Sequence, residues 1–153
     1  MKKETKHNKP ATVGTLELST ILEEFTTEVL SEMSPGNVSL SGKIGYCKIE
    51  VWPDEGQTPH FHIITTNKVK WECCVEIYRA KYFSHGSKTG TLSNSQAKTL
   101  NAWLKKPSIP NKSISNWELI CTFWYGQNNP LTNVPEEPEQ PDYSKINDSY
   151  NMN

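Results

Sequence analysis

The chain has 153 residues, 35% hydrophobic and 22% charged, with a formal net charge of −1. That is room for one domain with a short appendage at each end. It excludes a strongly basic or acidic binding protein, and no apolar run approaches a bilayer span, which excludes a helical membrane protein. Five Trp, six Tyr and four Phe supply enough large side chains for a modest core. The polar start Met1-Lys2-Lys3-Glu4-Thr5-Lys6 lacks the apolar stretch of a Sec-type signal peptide, so a reducing cytoplasm is the expected setting.

Residues 1–14 are polar and read as a mobile arm. Leu18, Leu22, Phe25 and Val29 recur at helical spacing, with Thr15 as cap, and predict an acidic amphipathic helix over 15–34, stopped by Ser34-Pro35-Gly36-Asn37. Between Lys43 and Trp52, Cys47, Ile49 and Val51 alternate with Lys48 and Glu50 and predict a strand. Pro53-Asp54-Glu55-Gly56-Gln57 reads as a turn, and Thr58–Thr66 as a second strand. After a tight reversal at Thr66-Asn67-Lys68, Val69, Trp71, Cys73, Val75 and Ile77 line one face of a third strand, whose other face carries Glu72, Cys74 and Glu76. Ser84–Thr91 is a Gly/Ser/Lys loop. Ser93-Asn94-Ser95-Gln96 is a capping box opening a helix with Ala97, Leu100, Trp103 and Leu104 on one face, ended by Pro107. Ser115-Asn116-Trp117-Glu118 is a second capping box, opening the apolar segment Leu119–Tyr125, stopped by Gly126; its period does not separate helix from buried strand, and the cap favours helix. Residues 132–153 lose periodicity and read as a disordered acidic tail. The expected architecture is α+β. A single domain over 15–131 holds a small antiparallel sheet of three or more strands, with about three helices mainly on one face.

Charge is unevenly spread. The 82–131 region carries Lys88, Lys98, Lys105, Lys106 and Lys112 against Glu118, a face that could meet nucleic acid or serve as a solvated lysine surface. The four cysteines, Cys47, Cys73, Cys74 and Cys121, form no C-x-x-C pair and are expected to be free buried thiols. Phosphate-binding glycine loops and nucleophilic triads are absent.

The chemistry-bearing feature is His60-Phe61-His62. Two histidines two apart on a strand project from the same face, roughly 7 Å apart along it, a geometry in which two imidazoles can reach one ion. If Phe61 and Ile63 share the core face with Cys73 and Val75, for example with Ile63 opposite Trp71, the histidines fall on the other face. His62 then stands opposite Glu72, and His60 opposite Cys74. His60, His62, Glu72 and Cys74 are therefore the candidate ligands of a divalent metal, the one cofactor considered; no catalytic residue is assigned. An odd register would turn the histidines into the apolar face and remove the site. A His pair hydrogen-bonded to a carboxylate also occurs without metal. His85, in the Gly/Ser/Lys loop, has nothing in the sequence to place it.

His-hydrophobic-His also resembles the metal motif of rolling-circle and relaxase endonucleases. Tyr78-Arg79-Ala80-Lys81 follows too closely to be that family's helical tyrosine, and its first motif has no counterpart here. A broader resemblance covers residues 43–125. Ile49, Asp54, Pro59-His60-Phe61-His62-Ile63, Val75-Glu76-Ile77, Leu100, Trp103-Leu104 and Asn116-Trp117-Glu118-Leu119 stand in the order of a domain-of-unknown-function family of short bacterial and phage proteins. The resemblance implies an α+β fold, a bacterial or phage-infected host cell and a toxin–antitoxin-like protein partner, and no catalytic residue. The leading expectation is thus a partner-binding protein of phage or mobile-element type. A metal-dependent nuclease or hydrolase using His60 and His62, and a phage structural or accessory protein, are the alternatives.

Overall fold

The computed structural model describes residues 9–18, 45–53, 55–66, 71–86, 88–128, 135–136 and 138–151. Four strands, β1 (Ala11–Glu17), β2 (Tyr46–Val51), β3 (His60–Thr65) and β4 (Glu72–Glu76), form one antiparallel sheet in the order β1-β2-β3-β4. Two long helices follow, α1 (Asn94–Lys105) and α2 (Asn116–Asn128), then a 3-10 turn, Tyr143–Lys145, running into the short α3 (Ile146–Asn151). The fold is α+β with a small sheet, as the alternation and capping patterns predict. Among the described residues no helix is long and apolar enough to cross a membrane.

Both capping boxes form. The Ser93 hydroxyl accepts from the Gln96 amide while the Gln96 side chain accepts from the Ser93 amide. Ser115 and Glu118 do the same at the start of α2. Each box satisfies two helix-start amides that have no partner within the helix. Gly126 does not stop α2, which runs on to Asn128.

Both ends of the chain differ from expectation. Residues 11–14 belong to a strand rather than a mobile arm, and the helix expected from Thr15 does not begin there; its remainder, 19–34, lies outside the described residues. Register slips by one between Thr12 and Gly14. Val13 and Leu16, three apart, are therefore both buried, and this bulge erases the period-two signal. At the other end, the expected disordered tail contributes Tyr143 and Ile146 to the core, both fully buried. The Tyr143 ring packs edge-on against Phe61. Its hydroxyl donates to the Ile77 carbonyl and accepts from Trp117 Nε1 at 3.2 Å.

The apolar face of the sheet carries Ile49, Phe61, Ile63 and Val75, which meet Leu100, Trp117 and Ile120 of the helices. β3 and β4 pair with Ile63 opposite Cys73, His62 opposite Cys74 and His60 opposite Glu76. Compared with the expected Ile63–Trp71 pairing, register is shifted by two. The Thr65 amide donates to the Trp71 carbonyl at 3.2 Å in the same register; beyond Thr66, the reversal expected at Thr66-Asn67-Lys68 lies outside the described residues. A shift of two preserves parity, so the histidines stay off the apolar face.

Tyr143 supplies the quantitative check. Tyr143→Ala is expected to destabilise the chain by about 3–5 kcal/mol. Tyr125→Ala, at a residue 58% exposed, should cost no more than about 0.5 kcal/mol. Urea unfolding of the two variants separates a docked C-terminal segment from a loose one, for which both changes would be equally mild.

Candidate metal centre

The second face of the sheet is covered as well. After β4 the chain doubles back along the free β4 edge. Lys81 accepts from the Glu76 amide, the Phe83 amide donates to Cys74, and the Gly90 amide donates to the Glu72 carbonyl, each at 2.9 Å. A Cβ at Gly90 would stand 2.6 Å from that carbonyl oxygen and 2.9 Å from the Trp71 ring, so only glycine lets the return segment approach this closely. This segment stacks Phe83 on His60, with ring centres 3.9 Å apart, and brings in His85. Trp124 of α2 lies 5.3 Å from the same ring. His60 and His62 are thus buried, 0% and 2% exposed, where an open second face was expected.

Three imidazoles meet here. The ring centres of His60, His62 and His85 are 5.3, 5.3 and 5.1 Å apart, close to an equilateral triangle. Their Nε2 atoms lie 2.9, 2.7 and 3.1 Å from a single oxygen, Oε1 of Glu55. Glu55 comes from the β2–β3 loop. Its amide donates to Asn128 Oδ1, and Asn128 Nδ2 donates to the Trp52 carbonyl, both at 3.0 Å. Gln127 Nε2 donates to the Val51 carbonyl at 2.7 Å. The end of α2 therefore fixes the loop that presents the carboxylate.

The outer nitrogens are held as well. His60 Nδ1 donates to the Thr58 carbonyl at 2.9 Å; a carbonyl only accepts, so Nδ1 carries the proton. His62 Nδ1 lies 2.6 Å from Glu72 Oε2, with Cys74 Sγ 3.4 Å away. Each inner Nε2 thus points at the Glu55 carboxylate, where an N–H or a cation can face it.

Of the four residues expected to share an ion, the structure brings His60 and His62 to one point. Glu72 and Cys74 stand on the far nitrogen of His62 instead, because the two-residue register shift sets Cys74, not Glu72, directly across from it. Glu55 and His85 complete the inner set. Glu55 was readable only as a turn residue, five positions before His60. His85 depends on a chain reversal that leaves no periodic trace.

Burial works against ionising Glu55, but the hydrogen bonds from His60, His62 and His85 outweigh it and hold the carboxyl far below its usual range. Burial likewise disfavours a charged His62. Its hydrogen bonds to Cys74 and Glu55, the negative charge that Cys74 can carry and the bond to Glu72 prevail and raise it to about 10. Elsewhere the thiols are inert. Burial pushes Cys47 up to about 12 and Cys121 to about 11, and all four cysteines are free. Comparison of the chain with protein-family models, curated proteins and solved structures gives no match.

In the metal-free protein these two opposite shifts bracket a stability maximum. The contribution of His62 is complete below its ordinary 6.5 and is lost as pH rises towards 10. That of Glu55 is complete above its ordinary 4.5 and is lost as pH falls through its depressed folded value. Urea midpoints measured with chelator present should be highest between pH 4.5 and 6.5 and decline on both sides. A midpoint that climbs from pH 7 to 10 contradicts the paired cluster.

Proposed function

We propose that this chain is a metal-dependent hydrolase whose centre is a zinc-type divalent ion held by Nε2 of His60, His62 and His85, with Glu55 as the carboxylate beside them. The carrying observation is the imidazole triangle. Three rings that ligate one tetrahedral zinc through Nε2 have their centres about 5 Å apart, and the three separations here are 5.3, 5.3 and 5.1 Å. Two further features support it. Nδ1 of His60 and of His62 is anchored on a carbonyl and a carboxylate, which is how metal-bound histidines are oriented and tuned. A divalent ion would also offset the negative charge of the Glu55 carboxylate that the three rings face.

An ion bound there acts as a Lewis acid and lowers the pKa of coordinated water. The protein's own groups divide the remaining work. His60 and His62 stand on a buried strand and give rigid positions. His85 and Glu55 form the solvent-side rim, with side chains 27% and 18% exposed. Glu55 is the group placed to take a proton from water. Lys88 pairs with His85 through the backbone in the return hairpin, which sets a lysine three residues from the ligating His85. This favours an anionic substrate, a phosphodiester first, in line with the basic 82–131 region. The partner-binding expectation has less to stand on. The exposed large apolar side chains among the described residues are Tyr46, Ile109 and Tyr125, on β2, in the α1–α2 connection and on α2.

Zinc titration of the full chain by calorimetry, after chelation and dialysis, tests the centre. Saturation at about 100 times Kd should stabilise the fold by about 2.7 kcal/mol. His60→Ala or His85→Ala should weaken binding by at least about 10–100-fold, the size of effect already seen for partners outside the ligand set. Metal-restored cleavage of bis(p-nitrophenyl) phosphate, lost in His62→Ala, tests the chemistry. Absence of zinc binding at micromolar concentrations removes the centre. Binding without cleavage of this or a carboxyl-ester substrate removes the hydrolase.

A further inference from the structure

The other nitrogen of His62 has its own set of ligands. Cys74 Sγ lies 3.4 Å from Nδ1 and Glu72 Oε2 lies 2.6 Å from it, and the three atoms fall within 4.8 Å of one another. Nδ1 carries at most one proton, which it directs at the nearer carboxylate as a hydrogen bond. The thiol, 1% exposed, is left facing the same N–H; among the described residues its sulfur hydrogen-bonds to that nitrogen. Cys73, next along the strand, points into the apolar core, so Cys74 is the only one of the pair on this face. A sulfur and a nitrogen on one tetrahedral zinc stand about 3.5 Å apart, which matches the Cys74–His62 separation without movement. The carboxylate is closer than such an edge, and Glu72, with a side chain 23% exposed, has the freedom to retreat.

We infer that His62 bridges two cations, the second held by its Nδ1 together with Cys74 Sγ and Glu72 Oε2. Loading the second ion releases two protons to solvent, one from Nδ1 and one from the thiol, and the ring becomes a bridging imidazolate. The two ions would sit about 6 Å apart, the width of the ring plus two metal–nitrogen bonds. A thiolate in the second set makes it the softer of the two, suited to zinc, cobalt(II) or copper in preference to magnesium or calcium. With a single equivalent of metal, Glu72 keeps its role as hydrogen-bond acceptor for the ring. The inference shares His62 with the proposed hydrolase centre and otherwise uses different residues.

Cobalt(II) titration of the full reduced chain reads both sites. Two equivalents are expected, with a thiolate-to-cobalt charge-transfer band in the near ultraviolet growing with the second. Cys74→Ser should remove the band and one equivalent while leaving the other. His85→Ala should weaken the other equivalent and keep the band. One equivalent that is sensitive to His85→Ala, with no thiolate band, overturns the second site and leaves the hydrolase centre standing. One equivalent with a band lost in Cys74→Ser but indifferent to His85→Ala overturns the hydrolase centre and leaves the Cys74 site. A band that survives Cys74→Ser comes from another cysteine and overturns the second site. Should Cys74→Ser fail to fold, the wild-type stoichiometry decides: two equivalents with the band support the bridge, and one without it refutes it.

Discussion

Everything chemical in this molecule depends on one half-buried carboxylate oxygen gathering three imidazole nitrogens. A carboxylate so placed is expensive to desolvate. What offsets that cost is the number of partners: three Nε2 atoms within 3.1 Å of Oε1. The histidines are in the same position. His60, buried and stacked on Phe83, and His62, buried beside it, would lose water for nothing unless each ring nitrogen found an acceptor or a cation. The site is therefore an all-or-none arrangement. Removing Glu55 would leave three nitrogens converging on an empty point, and removing one ring would leave a buried carboxylate under-paired.

The fold supplies this arrangement by building each face of the sheet for a different purpose. The apolar face is an ordinary core closed by α1, α2 and the C-terminal turn. The opposite face is a row of polar groups, Glu50 across from His62 across from Cys74, and such a row is stable only when covered and satisfied. Two elements do the covering. The return segment lies along β4 through backbone hydrogen bonds and the close fit at Gly90. The end of α2 reaches over the β2–β3 loop with Gln127 and Asn128. Trp124 on that helix touches His60, so α2 serves the core along its length and the polar face at its tip.

How far this is legible in the sequence follows from which interactions are local. Alternation around Ile49, Phe61 and Val75 and the two capping boxes depend on neighbours in the chain, and they mark β2, β3, β4 and both long helices. Parity carries further still: placing Phe61 and Ile63 with Cys73 and Val75 puts the histidines on the other face whichever even register is adopted. What is not local stays hidden. β1 is obscured because the bulge at Val13 breaks its period. Tyr143 sits in a Pro/Glu/Asn stretch whose composition resembles a disordered tail, and one aromatic anchor does not alter a composition. Glu55 and His85 reach the site by way of a loop and a chain reversal, the first fixed by the distant side chains of Gln127 and Asn128, the second by backbone hydrogen bonds along β4. The expected ligand set therefore holds the strand-borne members and substitutes the cross-strand neighbours Glu72 and Cys74 for the loop-borne ones.

The same division between strand and loop bears on what a bound ion could do. Four protein ligands around zinc make a closed, structural site, whereas catalysis needs a position that water can take. His60 and His62 cannot yield that position: both rings are pinned at the outer nitrogen and packed in the interior. Glu55 can. Its backbone is clamped through its amide to Asn128, and among the described residues the hydrogen bonds of its side chain come from the imidazoles it faces. An ion held by the three Nε2 atoms would replace the hydrogen bonds that draw the carboxylate inward. Glu55 would then be the group most free to give way to water and to serve as its base.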